Sequence, residues 1–319
     1  MKKHFLFLFA GITLGASLQA QPLPEPDDRA ESLTPRGEYF MRPSWSPNGK
    51  YLAFTSRNHH GIWTLNFDSR KITKLVDREG AGYKFAWSPD GQYIAYRGHI
   101  SENRRKKYAI EIIDTQTKVV QLLTDPEKFL GAPRWSADNS LLFFTQKQEL
   151  MQVETNLPTS TDLRKLVPAS ERFVAFTSYQ KLHIAPLQDT LDKELRLPEE
   201  NVINPSLSPD GNQIVYEEVA GDLIVLDLQT GKKKSLGSGH RPAWSPDGMW
   251  ICYMVTEDDG HQYISSEIYI ASPDGKQKVN LLKTKDLLEM NPAWSPDGNS
   301  IVYDEHLSGV ISLQKLLFH

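Results

Sequence analysis

The side chains of this chain that could do chemistry are its histidines, its arginines and a scattered set of carboxylates. Neutral imidazole is a common metal ligand, and His240 and His306 are the candidates to hold a metal. No two histidines stand at the i, i+4 spacing of a helical metal site, so no metal centre is expected. The single cysteine, Cys252, lies in the run Trp250-Ile251-Cys252-Tyr253, where a core thiol is expected rather than a nucleophile. No Gly-x-Ser-x-Gly elbow occurs. No catalytic residue and no cofactor are expected. What remains is recognition chemistry, because a guanidinium pairs bidentately with a carboxylate. Arg42, Lys84, Asn204, Arg241 and Asn291 each stand just before a recurring phrase, and Arg134 stands at the start of another. Arg57, Arg97, Gln146, Glu217, Glu218, Glu257, Asp304 and Glu305 stand just after the β-rich run that follows it.

The phrase is what must position these groups. It reads Pro43-Ser44-Trp45-Ser46-Pro47-Asn48-Gly49, then Phe85-Ala86-Trp87-Ser88-Pro89-Asp90-Gly91. Further copies end at Asn139, Gly211, Gly248 and Gly298. Ser-Pro-Asp-Gly suits a type I turn, with Pro presetting φ and Gly closing the turn. A β run follows, as in Tyr51-Leu52-Ala53-Phe54, Tyr93-Ile94-Ala95-Tyr96 and Ile301-Val302-Tyr303. Strand, tight turn and strand make a hairpin. Two more short strands usually follow, which gives one propeller blade of four antiparallel strands.

The fold class is therefore all-β, a β-propeller. The Trp positions (Leu207 in the fourth copy) are 42, 48, 72, 37 and 50 residues apart. The gap of 72 holds about two repeats. Inside it Phe173-Val174-Ala175-Phe176-Thr177-Ser178 echoes Leu52-Ala53-Phe54-Thr55-Ser56. A fourth blade without its turn phrase is read there. Seven blades follow, with six blades and a long insertion as the alternative. Only two strands fit after Trp294, so the N-terminal segment from Ala30 is expected to complete the last blade and close the ring.

Residues 1–20 read as a secretory signal: Lys2 and Lys3, an apolar run from Phe5 to Leu14, and Ala20 before the cut. Residues 21–29 are acidic and Pro-rich and read as a flexible tail, and residues 30–319 as the propeller. No stable membrane insertion is expected after cleavage, and the protein is placed in the periplasm or outside the cell. The net charge of −4, with 36 basic and 40 acidic residues, gives no reason to expect nucleic-acid binding.

The phrase Pro-Ala-Trp-Ser-Pro-Asp-Gly followed by Ile-Val-Tyr resembles the repeats of the TolB propeller. Similar repeats occur in the propeller of the prolyl oligopeptidase family and in oligogalacturonate lyase. The resemblance covers roughly residues 30 to 319 and implies that strand one of each blade is innermost. It also implies that the Ser-Pro-Asp-Gly turns share one face. The loops between blades, and those joining strands two and three, then share the other. His59, His60, His99, His240, His261 and His306 fall on that other face. The charged mouth residues fall there too, with basic groups gathered on blades one to three and acidic groups on blades five to seven. A polarised mouth is expected. Arg42, Arg57, Arg97, Arg134 and Arg241 would meet carboxylates beside Asn204 and Asn291. Glu217, Glu257, Asp304 and Glu305 would face basic groups. The basic run Arg104-Arg105-Lys106-Lys107 is read as an extended loop of blade two. The function expected is a monomeric, non-catalytic module that binds a protein or peptide of the cell envelope. The alternative is a metal-dependent carbohydrate lyase or hydrolase using top-face His and Arg.

Overall fold

The computed structural model describes residues 22–102, 105–136, 138–147, 149–157, 173–178, 181–186, 201–284 and 287–318. Segment 1–20, read above as a secretory signal, lies outside them.

The repeat phrase does the turning that its chemistry dictates. In the second copy Gly91 N–H donates to Ser88 O at 2.8 Å, and Gly91 takes φ +70°. Ser88 Oγ donates to Asp90 Oδ1 and accepts from Tyr93 N–H at 2.9 Å, which ties the turn to the strand that follows. Ser46, Ser208, Ser245 and Ser295 repeat these contacts. The Ser-Asp pair thus satisfies turn donors that would otherwise be orphaned. The tryptophan works between sheets. Trp87, Trp135, Trp244 and Trp294 donate their indole N–H to Ser44 O, Ala86 O, Ser206 O and Ala243 O, at 3.0–3.2 Å. Each acceptor belongs to the inner strand of the preceding sheet.

The described residues form seven antiparallel sheets. Sheets 1, 2, 5, 6 and 7 have four strands each, with inner strands Phe40–Trp45, Ala86–Trp87, Val202–Leu207, His240–Trp244 and Glu289–Trp294. Sheet 3 has three, starting at Arg134–Trp135. Sheet 4 is a two-stranded ribbon, Phe173–Ser178 paired with Lys181–Pro186. The seven four-stranded blades favoured from the spacing are thus corrected to six. Six sheets carry a phrase-bearing inner strand, and a ribbon stands where the phrase is missing. The physical reason is local, since no Ser-Pro-Asp-Gly turn is present there to close an inner hairpin. The expected strand Lys193–Leu197 lies outside the described residues.

Hydrophobic clusters join neighbouring sheets in series. Phe40, Leu52 and Phe54 of sheet 1 pack on Val302 and Ile311 of sheet 7. Ala53 and Ile62 pack on Ile94 and Tyr96 of sheet 2. Comparable clusters join sheets 2 and 3, the ribbon and sheet 5, sheets 5 and 6, and sheets 6 and 7. Cys252 is fully buried in the last of these, and burial pushes its thiol pKa up.

The N-terminal strand Glu25–Ser32 pairs with Ile311–Leu317, from Glu25↔Leu317 to Ser32↔Ser312, as the outer strand of sheet 7. Residues 25–29, expected in a flexible tail, are therefore strand residues. The basic run is corrected too. Arg105, Lys106 and Lys107 begin the strand Arg105–Asp114, pairing with Glu102, Ser101 and Ile100, and Lys106 donates to Glu79 at 2.8 Å. Among the described residues no helix is long and apolar enough to cross a membrane.

Candidate functional site

The site is built from one irregularity repeated around the ring. The inner strands of sheets 1, 5, 6 and 7 carry Arg42-Pro43, Asn204-Pro205, Arg241-Pro242 and Asn291-Pro292. Proline has no N–H for the ladder and is confined in sheets to edges and bulges. Each of these four strands has a register shift spanning its X-Pro pair, as between Met41 and Ser44. The residue before each proline takes the left-handed conformation, with φ of 57°, 46°, 52° and 53°. Lys84, ahead of the short inner strand of sheet 2, takes φ 53°. The side chains of all five line one cavity of about 700 Å³. Arg97 and Arg134 line it as well, with Tyr83, Phe85, Phe143 and the four prolines as its apolar wall.

At or behind this lining stand residues from the strand that follows each inner strand, Thr55, Arg97, Thr145, Glu217, Met254 and Asp304, with Thr177 in the ribbon. Two of them hold the lining in place. Asp304 Oδ1 accepts from Arg42 N–H at 2.8 Å and, with Oδ2, from Asn291 Nδ2 at 2.8 and 3.1 Å. Glu217 accepts from Arg241 N–H and from Asn204 Nδ2, the latter at 2.8 Å, with His240 Nδ1 3.3 Å away. Asp304 and Glu217 are only 2% and 4% exposed. They are staples for the strained backbone and do not face a partner. Arg97 donates to Leu130 O at 2.7 Å and lies over the rings of Tyr108 and Tyr83, at 4.3 and 5.1 Å.

The expected polarised mouth is therefore corrected to a cationic one. Arg42, Lys84, Arg97, Arg134 and Arg241 line the cavity, and among the described residues no carboxylate does. Electrostatics record the crowding. Burial and then Arg241 lower the pKa of Arg42 to about 10. Burial, then Arg134, Arg241 and Arg42, lower Lys84 to about 8. Arg134 is open to channel water yet enclosed by protein, and that enclosure lowers its pKa. Burial, then Arg42 and Arg241, lower His59 to about 4, so it is neutral at pH 7. Burial raises Asp304 to about 6. Burial also works to raise Glu217, but hydrogen bonds from His240, Arg241 and Asn204 outweigh it and hold its pKa down.

Of the residues expected at the site, Arg42, Arg97, Arg134, Asn204, Arg241 and Asn291 come together. Arg57, Glu257 and Glu305 do not. Arg57 is exposed and lies 4.3 Å over the Tyr39 ring. Glu257 is exposed in the long hairpin of sheet 6, and Glu305 accepts from Leu307 and Ser308 N–H in a turn. The histidines do not converge. His240 is engaged with Glu217, His306 stands edge-on to Tyr263 at 5.7 Å, and His60 is 2.8 Å from Asp77. Among the described residues no three of His, Cys, Asp and Glu are grouped to hold a metal ion. Tyr83, Thr145 and Thr177, which sequence reasoning missed, also line the cavity. The signal for the two threonines was their register, each the fifth residue of its strand.

No family model matches the chain. The fold is that of a β-propeller similar to TolB. The crystal structure of TolB from Acinetobacter baumannii superposes with a TM-score of 0.55 at 18% identity, covering 84% of this chain and 60% of that one. Oligogalacturonate lyase from Vibrio parahaemolyticus gives a TM-score of 0.48 at 11% identity, covering 93% and 98%. A stretch of 115 residues, 32% of this chain, is 25% identical to the uncharacterized peptidase YuxL of Bacillus subtilis. The chain matches 17% of that relative's length.

Proposed function

We propose that this protein is an exported, periplasmic propeller that binds a protein or peptide of the cell envelope at the mouth of its channel and performs no chemistry there. The observation that carries the reading is the cationic lining. Among the described residues, five basic residues and no carboxylate line one cavity. A rigid ring with its loops gathered at one end offers a broad docking surface, and guanidinium groups at its centre select carboxylates. Export is supported by Lys2, Lys3, the apolar run from Phe5 to Leu14 and Ala20. The TolB-like fold supports a periplasmic setting.

The test is affinity capture from envelope extracts with the mature protein and with Arg241→Ala, read by quantitative mass spectrometry. Loss of a captured partner from the variant is expected. Where the contact is enclosed, the loss should be about 1–3 kcal/mol, and about 1 kcal/mol or less at an exposed rim. A partner that still binds the variant but is lost with Met249→Glu, in the turn at the opposite face, would refute the site. Metal-dependent turnover of an acidic oligosaccharide, abolished by removing His240 or His306, would replace this reading with the lyase or hydrolase one.

A further inference from the structure

We infer that the central cavity is a binding site for a compact, multiply charged anion carrying about three negative charges as carboxylates or phosphates. This rests on the channel mouth being the binding site and names the chemistry that the mouth accepts.

The charge count sets the class. Among the described residues, none of Arg42, Lys84, Arg97, Arg134 and Arg241 is held in an ion pair. Two carboxylates, Asp304 and Glu217, stand behind the lining, and their oxygens already accept from backbone and amide donors. Set against five cations they leave three charges unanswered. A single carboxylate would leave two cations in mutual repulsion inside an enclosed space, where charges interact more strongly than in water. Arg42 Nε and Arg97 Nε are also buried without a partner.

The backbone supplies an independent argument. The left-handed region suits Gly and, less well, Asn, and strains other residues. Sheets 5 and 7 use Asn204 and Asn291 at this position. Sheets 1, 2 and 6 place Arg42, Lys84 and Arg241 there, with φ of 52–57°. A less strained residue was available in the same scaffold, and strain that persists at one locus points to a role for the side chain. The lowered basicity of Lys84 fits a site whose cations await a counter-charge, and an anion entering it at about pH 8 would draw a proton onto that amine.

The experiment uses the full exported chain in low salt, with pyrophosphate and citrate as probes and acetate as the singly charged control, read by titration calorimetry. Arg42→Asn and Arg241→Asn install the residue that sheets 5 and 7 already hold, so folding is retained and is checked by thermal unfolding. At least one trivalent probe should bind, and each variant should weaken it about tenfold or more, the effect of losing one charge-assisted hydrogen bond. Lys276→Gln, at an exposed outer turn paired with Asp274, should leave binding unchanged. Calorimetry in two buffers at pH 8 should show proton uptake that Lys84→Gln removes. Binding of citrate alone points to carboxylate ligands and of pyrophosphate alone to phosphates, and either supports the site. Acetate binding as tightly as the trivalent probes, no binding by either probe, full binding by both Asn variants, or no proton uptake would each overturn it. An envelope partner that docks at the channel while no anion binds also overturns it and leaves the docking reading standing. Anion binding without any partner supports it and removes that reading.

Discussion

Asp304→Asn should flatten the pH dependence of stability by an amount that the surroundings of this one carboxyl set. Asp304 is 2% exposed, and burial raises its pKa from 3.8 to about 6 even though Arg42 N–H and Asn291 Nδ2 donate to it. The folded protein therefore holds this proton more tightly than the unfolded chain does. The stability that follows is fully present below the unfolded pKa of 3.8 and is lost as pH rises through about 6. At 1.36 kcal/mol per pH unit the loss is about 3 kcal/mol. An amide side chain at position 304 has no charge to bury and keeps an oxygen for the Arg42 amide. Asn291 Oδ1 is buried without a partner, so turning that amide over lets it accept from the new NH₂ group. Urea unfolding of both proteins from about pH 4 to 8 measures the effect, and the variant should gain about 2–3 kcal/mol on the wild type across that range. Glu289, raised to about 7 by burial, and Glu217, held low by its donors, contribute equally to both proteins and cancel in the difference. Parallel pH curves would show that Asp304 is not the strained acid described here.

Two further outcomes check the architecture and the export route. Trp87→Phe removes the indole N–H that reaches Ser44 O across the boundary between sheets 1 and 2. It should cost about 1 kcal/mol for the hydrogen bond and more for lost packing area, measured by chemical denaturation. Intact-mass measurement of the exported protein should give the chain cut after Ala20, and retention of residues 1–20 would mean a tethered protein.

The sequence made the blade legible because the phrase is local chemistry. Ser88, Asp90 and Gly91 fold their own turn from donors and acceptors five residues apart or less, so six copies disclose six inner hairpins. The same logic falls silent in the gap of 72 residues, where no turn fixes register and only the ribbon Phe173–Ser178 with Lys181–Pro186 is described. The inner ring was legible as the residue three before each Trp: Arg42, Lys84, Arg241 and Asn291, with Asn204 before Leu207. Arg134 reaches the cavity from one residue before Trp135, out of that register. What could not be read was which charges stay wet. Asp304 and Glu305 are neighbours in sequence, yet one is spent on Arg42, 262 residues away across the meeting of the chain ends, and the other on its own turn. Local pattern places a carboxylate at a strand end. Only the neighbouring sheet decides that it serves as a staple behind the lining, where two such carboxylates stand against five cations and leave the channel cationic.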